Sequence, residues 1–518
     1  MANIYVPKIG NENPRTANLY RPFSQIEIHT QNGTFGPGQD VDPSNSLMQW
    51  QYSKQLSASD SSDDIGQLTL NLTAGPPTKF STSTWLDLIS PMDLIVVYAS
   101  KSGRSSSDMR TRFIGYITDI YEVVDTESNP TQPQRYIQIL AQDLMMGLDT
   151  SIVFPTIALS YIKQDSDYRK INNLLSNVLG LDVSTFGNQI ASGSIPLLSF
   201  LGSELNKSMS LNQLLLMDPS TATNLVLEKI LSVVFSPQVQ ISSFRFSGTA
   251  GYIPTKSGAG LVTQAFDNTS QFAGAQYFVQ PQEETFYAMF QGMMNAPFLE
   301  FFGDVRSSDQ MGGIPSPYNG SPSGIAFGPD NATFQMVIRN TPFDTTSGAP
   351  GTSSNAFEQL PMTDVMLKDS SGKQWGKSME DVVNYYYVYP EGFVQQGGAM
   401  IPVVNQLYGA LLDADSITQY GLQPLEVPIL GWPQDSNDAM NPVAVKKFEQ
   451  ALYDWYHLNP QFIRGTTTIH GDPSVRVGQR IRFPTVGLIG YVESLTETYT
   501  AMQSYESQVT FSRGVYAS

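Results

Sequence analysis

Imidazole chemistry rests on three residues in this sequence, His29, His457 and His470, and thiol chemistry is absent because there is no cysteine. The histidines are far apart, and none has a second ligand at a metal-binding interval, so they read as strand-surface or partly buried side chains. Paired carboxylates are the other source of acid–base chemistry. Glu300 and Asp304 flank a Phe-Phe-Gly segment, and Asp413 and Asp415 lie in LLDADS. Such pairs hydrolyse glycosides only at a defined separation across a cleft, which a sequence does not supply. Asp60, Asp63 and Asp64 occupy a Ser-rich loop without the alternating acids and closing Glu of a calcium loop. All these acids are expected to be solvated surface groups. No nucleophile elbow, phosphate loop or dinucleotide fingerprint occurs. The sequence therefore predicts no catalytic residues, no metal site, no cofactor and no enzyme activity.

Aromatic series could serve instead as stacking platforms. Phe286, Phe290, Phe298, Phe301 and Phe302 fall at core spacings. Tyr385 to Tyr387 and Tyr389 are contiguous enough that they cannot all face one core, which predicts an exposed surface suited to another subunit.

The elements that carry these residues are mostly strands. From Ser24 to Asp143 short apolar alternations (SQIEIHT, LMQWQYS, GQLTLNLT, PMDLIVVYA, RFIGYITDIYEVV and RYIQILAQD) are separated by turn residues, the pattern of about six antiparallel strands in a small barrel or sandwich. Helical spacing is found at Thr221–Phe235 and Glu283–Ala296. It recurs after Asn441-Pro442, where Val445, Phe448, Leu452 and Trp455 share one face. NYYYVYP, from Asn384 to Pro390, fits either a helix end or a strand. The last residues, through GTTTIHGDP, VGQRIRFP, LIGYVESLTETY and YESQVTFSRG, return to strands and turns.

The end of the chain echoes its beginning. Asp93–Tyr98 precedes FIGYITDI, a polar connection and Tyr136–Asp143; Gln479–Pro484 precedes LIGYVESL, a polar connection and Tyr505–Gly514. The echo predicts a duplicated barrel, with Gly115 and Gly490 at equivalent bends.

Composition narrows the partners. The 518 residues exceed one ordinary core, and only 15% are charged, with abundant Gly, Pro, Tyr and Phe, which suits β structure and surfaces buried against partners. A net charge of −18 disfavours non-specific nucleic-acid binding. The N-terminus lacks the apolar core of a signal peptide, and the most apolar stretches are interrupted by Pro or charge, so a soluble, cytoplasmically made protein with no membrane segment is expected.

The series SPMDLIVVYA, RFIGYITDI and YIQILAQDLMMGL, then APFLEFFGDV and MVIRNTPFD, then RGTTTIHGDPSVRVGQRIRFP, GYVESLTETY and VTFSRG resembles the baseplate hub proteins of contractile-tailed bacteriophages and related injection machines. The resemblance implies a mainly β fold with inserted α+β regions and two tube-type antiparallel β-barrels related by duplication. It implies an N-terminal arm over 1–19, a first tube barrel over 20–150, and an inserted mixed domain over 151–280. The second barrel would begin over 281–344, pause for another mixed insertion over 345–459 and finish over 460–518. It implies a homotrimer that adapts a sixfold tail tube to a threefold central spike in the virion baseplate, surrounded by wedge proteins. DNA would pass its channel without specific binding. With only four residues after Gly514, the spike is expected to be a separate protein. Arg476, Arg480 and Arg482 are expected to form one strand face that meets an acidic neighbour. The rival readings are a virion-associated glycan or peptidoglycan hydrolase and a carbohydrate-binding receptor-recognition protein.

Overall fold

The computed structural model describes residues 21–56, 65–75, 83–101, 103, 108–125, 134–149, 244–247, 287, 299–307, 327–343, 356–366, 369–379, 382–391, 393–396, 399–402, 410–430 and 442–516. The arm over 1–19, the helical pattern at Thr221–Phe235, nearly all of that at Glu283–Ala296, and Asp60, Asp63, Asp64, Phe286, Phe290 and Phe298 lie outside the described residues. So does most of 151–280.

The alternating segments of the N-terminal region are strands: β1 (Phe23–Thr30), β2 (Gly33–Phe35), β3 (Leu47–Gln55), β4 (Gln67–Thr73), β5 (Leu94–Ser100), β6 (Arg110–Asp125) and β7 (Gln134–Asp143), with the short helices α1 (Trp85–Leu88) and α2 (Met146–Asp149). Then come β8 (Phe244–Ser247), β9 (Leu299–Arg306) and β10 (Thr333–Asn340), followed by α3 (Ala356–Gln359), β11 (Met362–Asp364) and β12 (Ser370–Gly376). The following stretch holds β13 (Tyr385–Glu391), β14 (Phe393–Gln396), β15 (Ala399–Pro402), β16 (Leu411–Leu412), α4 (Ala414–Tyr420), β17 (Pro424–Leu430) and α5 (Pro442–Tyr456). The chain closes with β18 (Ile463–His470), β19 (Arg480–Phe483), β20 (Leu488–Thr500) and β21 (Ser504–Tyr516). The fold is thus mainly β, with antiparallel pairing dominant.

Thirteen of these strands belong to one sheet. In its first half the hydrogen-bonded order is β3-β4-β7-β6-β5-β1, with β2 at the edge. In its second half the order is β12-β18-β21-β20-β19-β11. Numbered along the chain within each half, the two orders are the same permutation. One pairing departs from it: β1 runs antiparallel to β5, whereas β11 runs parallel to β19. The halves are joined where β20 pairs with β3, from Ser494 opposite Gln55 to Thr500 opposite Gln49.

Local geometry repeats as well. Gly115 stands opposite Ile95 of β5, and Gly490 opposite Ile481 of β19. Two residues on, Ile117 bonds the backbone of Met92 and Asp93, and Val492 bonds that of Gly478 and Gln479. Met92 and Gly478, at the same place in this turn, share a left-handed backbone with φ of 72° and 70°. Both bends sit beside register shifts, between Ile117 and Asp119 in one half and between Ile489 and Tyr491 in the other.

Two cores form, and the first takes in Tyr499 of β20 and Tyr505 of β21 from the other half. Period-two alternation directs Ile26 and Ile28, Leu68, Leu70 and Leu72, and Ile137 and Ile139 into the first, around Trp50 and Trp85. Trp50 donates its indole N–H to Ser24 Oγ at 2.8 Å, and that hydroxyl donates to the Tyr98 carbonyl, tying β3 to β1 and β5. The second core gathers Ile463, Ile469, Ile481, Phe483, Leu488, Val492, Val509 and Phe511, joined by Phe302 of β9.

The structure distributes the middle strands differently from the sequence division. β9 and β10 pair with each other and with β8 in a separate three-stranded sheet, although Phe302 enters the C-terminal core. β11 and β12, inside the region 345–459, instead join the large sheet beside β19 and β18. NYYYVYP is a strand, parallel to β17. Tyr386 is buried against α5 residues Leu452 and Trp455, while Tyr385 and Tyr387 are half-buried on the other face. Proline at the first turn of α5 is placed as the sequence predicts.

A Cβ on Gly115 would sit 2.1 Å from the Gln142 carbonyl oxygen, and one on Gly490 2.4 Å from the Phe511 ring. Gly115→Ala and Gly490→Ala are therefore expected to lower unfolding free energy by about 1–3 kcal/mol in denaturant titrations. Gly75→Ala, where no atom lies within 4 Å, should change it little. Met92 is exposed and pays for its left-handed backbone, so Met92→Gly is expected to raise the thermal midpoint, by up to about 1 kcal/mol in stability.

Candidate functional site

Charged side chains are ordinarily excluded from β interiors, yet a set of them is buried where the two halves meet. Arg112 projects from β6 and Glu497 from β20, 385 positions apart in the chain and each at most 1% exposed. Arg112 Nε donates to Glu497 Oε2 at 2.6 Å, and its NH1 donates to the carbonyls of Pro473 and Val475 at 3.0 and 3.1 Å. The other carboxylate oxygen, Oε1, accepts from Tyr505 at 2.6 Å and from Ser507 at 3.1 Å. Burial would pull the Arg112 guanidinium down, but the Glu497 carboxylate beside it holds it above its ordinary value. Burial, reinforced by the same carboxylate, pushes the Tyr505 hydroxyl well up, so it stays a proton donor.

A second pairing runs alongside. Arg476 donates to the backbone carbonyls of Thr111 and Arg112, and its guanidinium lies 3.7 Å from Asp304. Arg306 lies 3.3 Å from Asp304 and donates to the Val477 carbonyl at 2.6 Å. Burial and the neighbouring Arg112 charge pull Arg476 down from its usual value. On β3, Lys54 donates to Asp143 Oδ2 at 2.7 Å, and the carboxylate also accepts from the backbone of Gly66 and Met145. Burial raises Asp143 despite that lysine. Tyr52 stands among these groups, with the Arg112 guanidinium 5.8 Å from its ring centre.

None of these carboxylates opens to a cleft. Glu300 accepts from Tyr491 Oη inside the fold, and Asp304 is held by arginines, so this pair is buried rather than solvated as expected. Asp413 caps α4 by accepting from the Ser416 amide, and Asp415 lies exposed in the first turn of that helix. His29 bonds Thr34 and Glu27 on β1, His457 stacks on Tyr453, and His470 ends β18 exposed. No cluster of metal-ligating side chains occurs among the described residues. A concavity of about 200 Å³ beside β1 is lined by Glu27, Tyr98, Gln25 and Gln39, with a single carboxylate that is already bonded to Tyr98 and His29.

The arginine series also departs from expectation. Arg476 precedes β19 and is fully buried; Arg480 donates to the Glu358 and Leu360 carbonyls; Arg482 pairs with Asp364 at 2.6 Å. All three are engaged by partners in the same chain; Arg480 and Arg482 share one face of β19, which Arg476 does not join. The buried junction itself went unread in the sequence, although Glu497 occupies an inward position between Leu495 and Tyr499, where alternation calls for an apolar residue.

Removing one member of a buried ion pair strands the other charge. Glu497→Gln and Arg112→Met are each expected to cost about 3–5 kcal/mol in chemical unfolding. The double replacement Arg112→Met with Glu497→Leu should cost less than the sum of the two single changes, because neither charge is then left alone.

No family model matches the chain, and no curated protein does. Among solved structures, a tail protein from Neisseria meningitidis MC58 superposes with a TM-score of 0.43 at 10% identity, covering 95% of this chain and 96% of that one. The 43 kDa tail protein of prophage MuSo2 from Shewanella oneidensis gives 0.40 at 9% identity, over 94% and 98%. A type VI secretion component of E. coli, described as structurally similar to the T4 bacteriophage tail proteins gp27 and gp5, gives 0.36 at 8% identity, over 95% and 77%. Two of these three structures are tail proteins and the third is a component of a secretion system.

Proposed function

We propose that this chain is the structural hub of a phage-type tail baseplate, a homotrimeric ring that adapts a sixfold tail tube to a threefold central spike. The observation that carries the proposal is the repeated strand order within one chain, β3-β4-β7-β6-β5-β1 in one half and β12-β18-β21-β20-β19-β11 in the other. Two like units per chain make six in a trimer, so such a ring offers sixfold contacts on the side where both halves take part and threefold contacts where only the insertions do. The two cores, which meet where Tyr499 and Tyr505 pack on Trp50, and the matched turns at Met92 and Gly478 support reading each half as a tube-type β-barrel, the pair related by duplication.

In this reading residues 20–150 form the first barrel, and 460–518 complete the second, which also takes in β11 and β12. The mixed region 151–280 and the part of 345–459 beyond β11 and β12 meet surrounding wedge proteins, and 281–344 braces the second barrel through Phe302. The tube protein and a central spike bind the two ends of the ring. The protein resides in the virion tail and has no catalytic role. The buried positions of Glu300 and Asp304 support this over a glycan hydrolase, which needs two carboxylates facing one cleft.

Imaging purified particles tests the proposal: density for this chain is expected on the tail axis, three copies at the tube's distal end. A position off the axis overturns it. The isolated protein is expected to release no sugar or peptide from peptidoglycan above a heat-treated control. Turnover abolished by Glu300→Gln in a protein that still folds would move the assignment to the hydrolase.

A further inference from the structure

The seam inside the chain has an uncompleted counterpart. β20 pairs first with β19, over Leu488–Tyr491, and then runs on so that Ser494–Thr500 pair with β3 of the other half. β6 is built the same way: Arg110–Tyr116 pair with β5, and the strand runs on to Asp125. No strand among the described residues pairs with its edge over 118–125 on the side away from β7. At the far end of the second half, β12 terminates the sheet. It holds the place in its half that β3 holds in the first, and β3 is where β20 docks.

We propose that residues 119–125 of β6 pair antiparallel with β12 of a second copy of this chain, repeating between chains the seam that β20 and β3 make within one. The register follows from the internal equivalences. Matching Gly115 to Gly490 places Val124 where Tyr499 stands. Leu70 and Thr467 lie opposite Ile139 and Val509, the equivalent positions of β7 and β21; carried one strand outward, this places the β-bulge of Gly372 and Lys373, which together face Thr467, where Trp50 stands. Tyr499 pairs with Trp50, so Val124 would face the Gly372-Lys373 bulge of the next copy, with Lys373 the side chain to reach it.

Side chains on the two edges complement each other. The β6 extension carries the exposed acids Asp119 and Glu122, the latter also paired with Arg135 of β7, and β12 and its exit carry the exposed Lys373 and Lys377. Tyr121 and Val124 are 48% and 51% exposed, apolar groups that a docked strand would cover. The contact is head-to-tail, with a different surface on each partner, so it propagates until a ring closes. It rests on the hub reading, which supplies three as the number of chains.

The natural absence of cysteine makes cross-linking clean. A Val124→Cys chain mixed with a Lys373→Cys chain, under mild oxidation or with a short bismaleimide, should give a covalent heterodimer, while neither alone gives a product. A chain carrying both changes should give a ladder ending at three. Thr496→Cys with Ser53→Cys, a pair facing across the internal seam, is the positive control and should close within one chain. Self-cross-linking of the Val124→Cys chain, or no product under conditions where the control closes, overturns the edge pairing. Light scattering separates the two readings: a trimer without the cross-link sinks this seam and leaves the hub, whereas a ladder that runs beyond three keeps the seam and sinks the trimeric hub.

Discussion

The two halves of the large sheet are held in one relative setting by a buried guanidinium–carboxylate pair. Arg112 and Glu497 reach each other from strands of different halves, and each has further partners, the Pro473 and Val475 carbonyls for one and Tyr505 and Ser507 for the other. A buried charge pair gains little over a well-packed apolar contact in free energy, but it tolerates little displacement, because desolvated charges lose most when hydrogen bonds are stretched. Lateral sliding of β20 along β3 would break both ends of this arrangement. The seam's register is therefore fixed by chemistry as well as by backbone pairing.

That rigidity is reinforced by packing. The cores around Trp50 and around Phe511 are distinct, but Tyr499 and Tyr505 of the C-terminal half pack on Trp50, so aromatic contacts cross the seam and oppose hinging between the halves. Arg476 adds a second tie, donating from the C-terminal half to the backbone of Thr111 and Arg112. The inserted segment is anchored at the opposite side of the second half: Arg513 of β21 lies over the rings of Phe343, Trp455 and Phe462, and Tyr491 packs on Phe343. Outer modules thus hang from the second half without loosening the seam.

Much of this was legible in the sequence where one physical rule dominated. Strands with one wet face, such as β1 and β4, announce themselves by alternation, and the FIGYITDI and LIGYVESL segments mark the two bends because a glycine there is required by close approach. β12 was missed because SSGKQWG is an edge strand with hardly a buried side chain, so it carries no alternation, and β11 is too short to show any. The arginines of the C-terminal pattern were misread for a different reason. Period two places Arg476 with Arg480 and Arg482, but the strand begins only at Arg480, and the turn before it sends Arg476 into the interior. Buried charges defeat sequence reading in general, since nothing local says which distant partner will neutralise them.

The fate of those arginines bears on how a ring of such chains would treat DNA. A net charge of −18 is an average, and a few cations facing a channel would outweigh it locally, since each adds salt-dependent affinity for phosphate. The C-terminal arginines, the most conspicuous basic series, are spent on Thr111, Arg112, Glu358, Leu360 and Asp364 within the same chain. Arg112, Arg306 and Lys54 are likewise buried at the junction. Folding thus buries Arg476, Arg112, Arg306 and Lys54 and pairs the exposed Arg482 with Asp364, so that the contacts that fix the seam also neutralise most of these cations.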